Sequence, residues 1–183
     1  MKVIAITGTP GTGKTTIARR MSKEKGCKYV DITKLVKENK LYDGYDRKKK
    51  ADDVDVKKLN KFLIKMILSE KYKTQERPSL SGRRTQENQR FSGHRKLKLS
   101  CECKAFSCET KCLVIDSHLS HYLPARYVDL CIVTKTDLKK LKKRLEKRGY
   151  SAAKVRENMD AEIFDVCLNE AKEEGHKVKV VKN

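Results

Sequence analysis

The eight residues Gly8 to Thr15, GTPGTGKT, constrain this chain more than any other feature of its sequence. They follow the β-branched run VIAIT at Val3 to Thr7 and lead into a helical pattern from Lys14 to Lys25. A strand, a glycine-rich turn and a helix therefore come in the order that a phosphate-binding loop requires. Gly8, Gly11 and Gly13 let successive backbone N–H groups converge on phosphate oxygens, and the helix N-terminus adds its partial positive charge. Lys14 can reach β and γ phosphates, and the Thr15 hydroxyl can ligate Mg²⁺. The plain alternative, a tight turn followed by a solvated lysine, leaves the filling of every fixed position to coincidence.

The rest of the chain alternates strand and helix signals. KYVD at Lys28 to Asp31 reads as a short strand, Ile32 to Asn39 as a helix, and LYDGYD at Leu41 to Asp46 as a turn-rich stretch. Between Asp55 and Tyr72, Val56, Leu59, Leu63, Ile64, Ile67 and Leu68 fall at helical spacing. Cys112 to Asp116 (CLVID) and Asp129 to Thr134 (DLCIVT) predict buried strands, and His176 to Val181 a last one. Leu138, Leu141 and Leu145 mark a helix over Asp137 to Arg148 that stops at Gly149, and the spacing from Ser151 to Glu174 predicts one further continuous helix ending at Gly175. With 183 residues, this is a single three-layer α/β domain, a P-loop nucleoside triphosphatase fold whose mainly parallel sheet has about five strands.

Lys and Arg exceed Asp and Glu by 20, and charged residues make up 37% against the roughly 25% of ordinary globular chains. Such a field attracts polyanions, nucleotides or RNA, and says nothing of the fold. The stretch Lys73 to Lys111 shows neither helical nor strand period; with ten basic and four acidic residues it reads as an inserted segment that supplies part of the charge. Cys101, Cys103, Cys108 and Cys112 fall within twelve residues of one another, a grouping that could hold tetrahedral Zn²⁺. Their spacing fits no common zinc finger, and Cys112 reads equally as an apolar core residue, so the metal is the less favoured reading. The N-terminal apolar run is too short for a signal peptide or a membrane span, which predicts a soluble cytoplasmic protein with reduced thiols.

Asp116 closes a predicted strand, where a carboxylate can hold a water of the Mg²⁺ shell beside the loop. His118 and His121 follow in DSHLSHYLP and can orient water or phosphate, or equally serve as hydrogen-bonded loop residues. Arg126 in LPARY and Arg144 are further cations within reach of a transferred phosphoryl group, each with a structural reading at least as strong.

The loop, the Asp-x-His ending of CLVIDSH, LYDGYD and RLEKRGY at Arg144 to Tyr150 together resemble the adenylate kinase isoenzyme 6 family, including its archaeal members, through residues 1–72 and 112–174. The resemblance implies a small nucleoside monophosphate kinase fold, with a monophosphate-binding segment over about residues 31–54 and a short lid over about residues 147–157. It implies ATP contacts at Gly11, Gly13, Lys14, Thr15 and Thr16, and catalytic roles for Lys14, Asp116, His118 and the lid arginine Arg148, with metal held between Thr15 and Asp116. It further implies broad-specificity kinase and ATPase activity, with AMP or another monophosphate as acceptor. Transient binding of ribosomal protein uS11 would place that activity in late maturation of the small ribosomal subunit, near the 3′ end of its rRNA. Tyr42, Asp43, Tyr45 and Asp46 shape an acceptor site or the ribosomal-protein contact, or simply cap helices as acidic and aromatic loop residues do, and the residues leave these readings open. The inserted segment has no counterpart in the family. Two rival functions remain: a nucleotide-gated assembly ATPase with incidental kinase turnover, and a basic RNA-binding protein that retains the loop.

Overall fold

Near-continuous apolar runs on short parallel strands, covered by helices above and below, are what the sequence demands, and the computed structural model of the chain has that form. It describes residues 1–46, 51–75 and 112–183. In chain order these form β1 (Lys2–Thr7), α1 (Lys14–Lys25), β2 (Lys28–Asp31), α2 (Ile32–Glu38), β3 (Tyr42–Asp46), β4 (Ala51–Val54) and α3 (Val56–Gln75). There follow β5 (Cys112–Asp116), β6 (Leu130–Lys135), α4 (Leu138–Lys147), α5 (Ala152–Ile163), α6 (Val166–Glu173) and β7 (Val178–Lys182). Two single 3₁₀ turns, Ser120–Tyr122 and Ala125–Tyr127, lie between β5 and β6.

The five-stranded sheet has the order β2-β5-β1-β6-β7, and every pair in it is parallel. β1 is the central strand, and the chain crosses from one side of it to the other between β5 and β6. In open α/β sheets such a switch opens a crevice at the carboxyl ends of the strands, where ligands bind. The register fixes what lies there: Asp116 pairs on one side with Ile6, two residues upstream of Gly8, and on the other with Asp31.

Each strand sends successive side chains to opposite faces. Val3, Ala5, Leu113, Ile115, Cys131 and Val133 meet Leu59, Leu63 and Ile67 of α3 on one face. Ile4, Ile6, Val114 and Ile132 meet Ile17 and Ala18 of α1 on the other. Leu141, Leu145 and Val155 form a separate small core between α4 and α5, with Tyr150 and Met159 packed against it.

Three expectations need correction. LYDGYD is not a bare turn but supplies β3, which pairs antiparallel with β4 in a hairpin beside the main sheet. The long helix over Ser151 to Glu174 is broken into α5 and α6, because Asp165 adopts a left-handed conformation with φ 55°, one that Asp tolerates better than most residues. Cys112 is buried, as its reading as an apolar core residue has it, but it is not a reduced thiol: it is disulfide-bonded to Cys27, which follows α1, with Cα atoms 4.7 Å apart. Cys101, Cys103, Cys108 and all but the first three residues of the inserted segment lie outside the described residues. Among the described residues no helix is long and apolar enough to cross a membrane.

Candidate functional site

The phosphate loop is built by glycines in backbone conformations that other residues rarely adopt. Gly8 has φ 138°, and a Cβ there would stand 2.5 Å from the Thr134 carbonyl oxygen. Gly11 has φ 96°, and its Cβ would meet Leu141 Cδ1 at 2.9 Å. The loop thus lies hard against both the end of β6 and the first turn of α4. Thr12 Oγ1 donates to the Thr9 carbonyl at 2.8 Å and lies 2.7 Å from Thr134 Oγ1, which itself donates to the Thr7 carbonyl. Arg144 adds a bond from its guanidinium to the Gly11 carbonyl at 3.2 Å. Asn183 Nδ2 donates to the Thr12 carbonyl at 3.0 Å.

Lys14 Nζ donates to the Gly8 and Thr9 carbonyls at 2.8 and 3.0 Å. Burial pulls its ammonium down to about 8, a fall that the nearby charge of Asp116 partly offsets. Thr15 and Thr16 are exposed on the first turn of α1, open to a ligand in the loop. Asp116 is buried at 4% exposure, and Tyr29 on β2 donates its hydroxyl to Asp116 Oδ2 at 2.9 Å. Burial and the Asp116 charge both push the Tyr29 phenol well above its ordinary value, so it remains a donor.

His118 presents an exposed edge. Desolvation by the protein around the ring and the Lys14 ammonium hold the imidazole down to about 4, which leaves it neutral across the physiological range. His121, 1% exposed, sits deeper: Nδ1 is 2.7 Å from Thr7 Oγ1 and Nε2 is 2.9 Å from Glu170 Oε2 on α6. Desolvation lowers its pKa against the opposing pull of Glu170. The His121 carbonyl accepts from His176 Nε2 at 2.7 Å, and Tyr122 donates to Glu170 Oε1 at 3.1 Å. His121 is therefore a brace beneath the end of β1, whereas His118 faces outward beside Lys14.

Arg148 caps α4 and is exposed, close enough to Lys14 for its charge to disfavour the ammonium. Arg126 lies over the Tyr127 ring at 4.9 Å, the structural role open to it from the sequence. Tyr42 is 40% exposed on β3, while the side chains of Asp43, Tyr45 and Asp46 lie outside the described residues. The fold brings Gly11, Gly13, Lys14, Thr15, Asp116 and His118 to one end of the sheet, with Arg148 at the rim. Sequence reasoning missed Tyr29, whose hydroxyl reaches Asp116 only through the β2–β5 pairing. It also missed Glu162, which carried no signal beyond a polar residue in a helical pattern.

Residues 4–165 match the AAA domain family. The protein named "Putative adenylate kinase" of Methanocaldococcus jannaschii is 37% identical over 169 residues, 92% of this chain and 71% of its own length. The adenylate kinase isoenzyme 6 homolog of Schizosaccharomyces pombe is 35% identical over 170 residues, 93% of this chain and 74% of its own. The chain belongs to the adenylate kinase isoenzyme 6 family. A third relative, the homolog of that enzyme in Dictyostelium discoideum, is 32% identical over 92% of the chain. The span matched by the AAA domain family, residues 4–165, includes the loop, Asp116, His118 and the α4–α5 pair.

Proposed function

We propose that this chain is a Mg²⁺-dependent nucleoside monophosphate kinase that transfers the γ-phosphoryl group of ATP to AMP or a related monophosphate and also hydrolyses ATP. The observation that carries the reading is the convergence of Lys14, in its glycine-built loop, with Asp116 at the end of the neighbouring strand. Thr15 and Asp116 suit Mg²⁺, which takes few protein oxygens and completes its shell with water and phosphate. Bound with ATP, it would neutralise charge on the β and γ phosphates.

The chain's own groups account for the rest. The loop amides and the start of α1 receive the polyphosphate, and Lys14 exchanges the Gly8 and Thr9 carbonyls for phosphoryl oxygens. Tyr29 orients the Asp116 carboxylate. Arg148 supplies a cation over the phosphoryl group in transit, whose charge spreads across its equatorial oxygens. A monophosphate acceptor is already anionic and needs positioning more than deprotonation; residues 31–54 provide that site. Hydrolysis needs an oriented water, and His118, neutral and at the mouth of the loop, serves as its hydrogen-bond partner.

Coupled assays with and without AMP test this reading. ADP should accumulate from AMP at a rate well above hydrolysis alone, and Lys14→Ala should abolish both. Negligible AMP consumption with persistent ATPase activity would instead make the protein a nucleotide-gated assembly ATPase. Salt-sensitive RNA binding indifferent to Lys14→Ala, without phosphoryl transfer, would make it an RNA-binding protein.

We further infer a role in late small-subunit maturation through transient, nucleotide-dependent binding of uS11 near the 3′ end of the rRNA. Family membership supports it, and the chain's excess of 20 positive charges suits work close to RNA. Binding of purified uS11 that does not change between ADP and ATP would remove this part of the reading.

A further inference from the structure

The phosphate loop touches the lid side of the molecule at a place that the proposed chemistry does not use. Glu162, 5% exposed, is the penultimate residue of α5, the helix that begins in the lid segment at its Ser151 cap. Its Oε2 accepts from Thr9 Oγ1 at 2.7 Å, and its Oε1 accepts from the Thr136 backbone N–H at 3.0 Å. Thr9 is the second residue of the loop, and Thr136 begins the connection from β6 to α4. One buried carboxylate therefore fastens the base of the lid helix to the loop and to the connection between β6 and α4.

The neighbouring contacts make this fastening directional. The Thr9 carbonyl accepts from Lys14 Nζ, from Thr12 Oγ1 and from the Thr12 N–H. The orientation of the Thr9 peptide thus sets where the lysine rests and how the loop closes. Immediately after α5 the chain breaks at Asp165, whose carboxylate pairs with Lys135 at the end of β6. The lower end of α5 is held at two points, while its upper end carries Val155 and Met159 against Leu141 and Leu145 of α4. Through these contacts Glu162 is the direct side-chain link between α5 and Thr9 of the loop. A carboxylate is costly to bury unless its hydrogen bonds are met, and both Glu162 oxygens have partners.

We propose that Glu162 is a positioning residue: acting through the Thr9 hydroxyl, it couples the pose of the lid helices to the geometry of the phosphate loop. The proposal deepens the kinase reading and rests on it. It concerns rate more than affinity, because the loop conformation must be set when the lid closes and transfer occurs.

A double-mutant cycle with Glu162→Gln and Thr9→Val tests it, with kcat, the KM for ATP and the melting temperature measured for each variant. Hydrogen bonds to charged groups contribute enough for each single change to lower kcat roughly tenfold, with the KM for ATP moving less. The double variant should fall no further than either single one, and Thr9→Ser, which retains the hydroxyl, should recover most of the rate lost in Thr9→Val. The proposal is overturned if the two losses multiply, if Thr9→Val leaves kcat intact, or if only the melting temperature moves. Should Glu162→Gln fail to fold, Thr9→Val and Thr9→Ser decide alone, with loss and recovery of kcat against little change in melting temperature as the supporting result. An inactive wild-type protein would instead count against the kinase reading, and the same cycle read on the ATP dissociation constant would then still report whether the two residues act together.

Discussion

At the scale of single residues, Lys14 makes the sharpest prediction. Its ammonium is held at about 8 by burial, well below its ordinary value near 10.5. Phosphate contact requires the charged form. As pH rises through 8, protons must be taken up on binding and affinity falls: ATP binding should be flat below about pH 7.5 and weaken roughly tenfold per unit well above 8. Titration calorimetry from pH 7 to 9.5 checks this, and in Lys14→Arg, whose guanidinium does not titrate there, whatever binding remains should lose the slope. His118 bears on stability, which chemical denaturation between pH 4 and 7 measures. Its folded pKa near 4 lies below its ordinary 6.5, so the unfolded chain takes up its proton first and stability is lost as pH falls from about 6.5 toward 4. Gly11→Ala would place a methyl 2.9 Å from Leu141 Cδ1 at φ 96°. A destabilisation of roughly 2 kcal/mol in denaturant titrations is expected, along with weaker ATP binding. The placing of Gly11, Lys14, Thr15 and Asp116 at one end of the sheet was legible in the sequence because a motif and a strand end fix it locally. Tyr29 was not, since its value depends on which strand lies beside β5.

At the scale of elements, the strands of the five-stranded sheet and most helices were legible because each carries its own apolar run or helical period, and their ends agree with the sequence to within a few residues. The failures share one cause: the deciding interaction lies far away along the chain. LYDGYD carries turn residues, yet pairing with β4 makes it a strand. The apolar spacing of Ser151 to Glu174 is continuous, yet Asp165 turns the chain so that its carboxylate meets Lys135. The α4–α5 pair has its own small core, in which Leu145 is fully buried. Leu145→Ala should cost roughly 2–5 kcal/mol, measured by chemical denaturation, and should also reduce kcat by loosening the lid against the loop. The disulfide joins the far end of α1 to the start of β5, the two elements whose other ends carry Lys14 and Asp116. Cross-links over loops of this length constrain the unfolded chain strongly, so reduction or a Cys27→Ala/Cys112→Ala pair should lower stability by about 4 kcal/mol. Melting curves with and without reductant measure the effect.

At the scale of the whole molecule, charge and topology play separate parts. The order β2-β5-β1-β6-β7 places the crevice, and the excess of positive charge governs what drifts toward it. The exposed lysines of α4, Lys139, Lys140, Lys142 and Lys143, lie on the element whose Arg144 contacts the loop. Nucleotide association should therefore slow several-fold between low and high salt, a trend that stopped-flow fluorescence can follow. The three-layer class was readable from alternating strand and helix signals alone, whereas which strands are neighbours was not, because order is set by crossover connections rather than by local pattern.

The bond between Cys27 and Cys112 also alters how breakage of the chain would look from outside. A peptide bond cut anywhere between those two positions leaves the two halves covalently tied, so a proteolysed sample would run as one band in a denaturing gel until a thiol is added. Purity judged without reductant would then miss such a nick, and a preparation apparently intact could still hold two polypeptides.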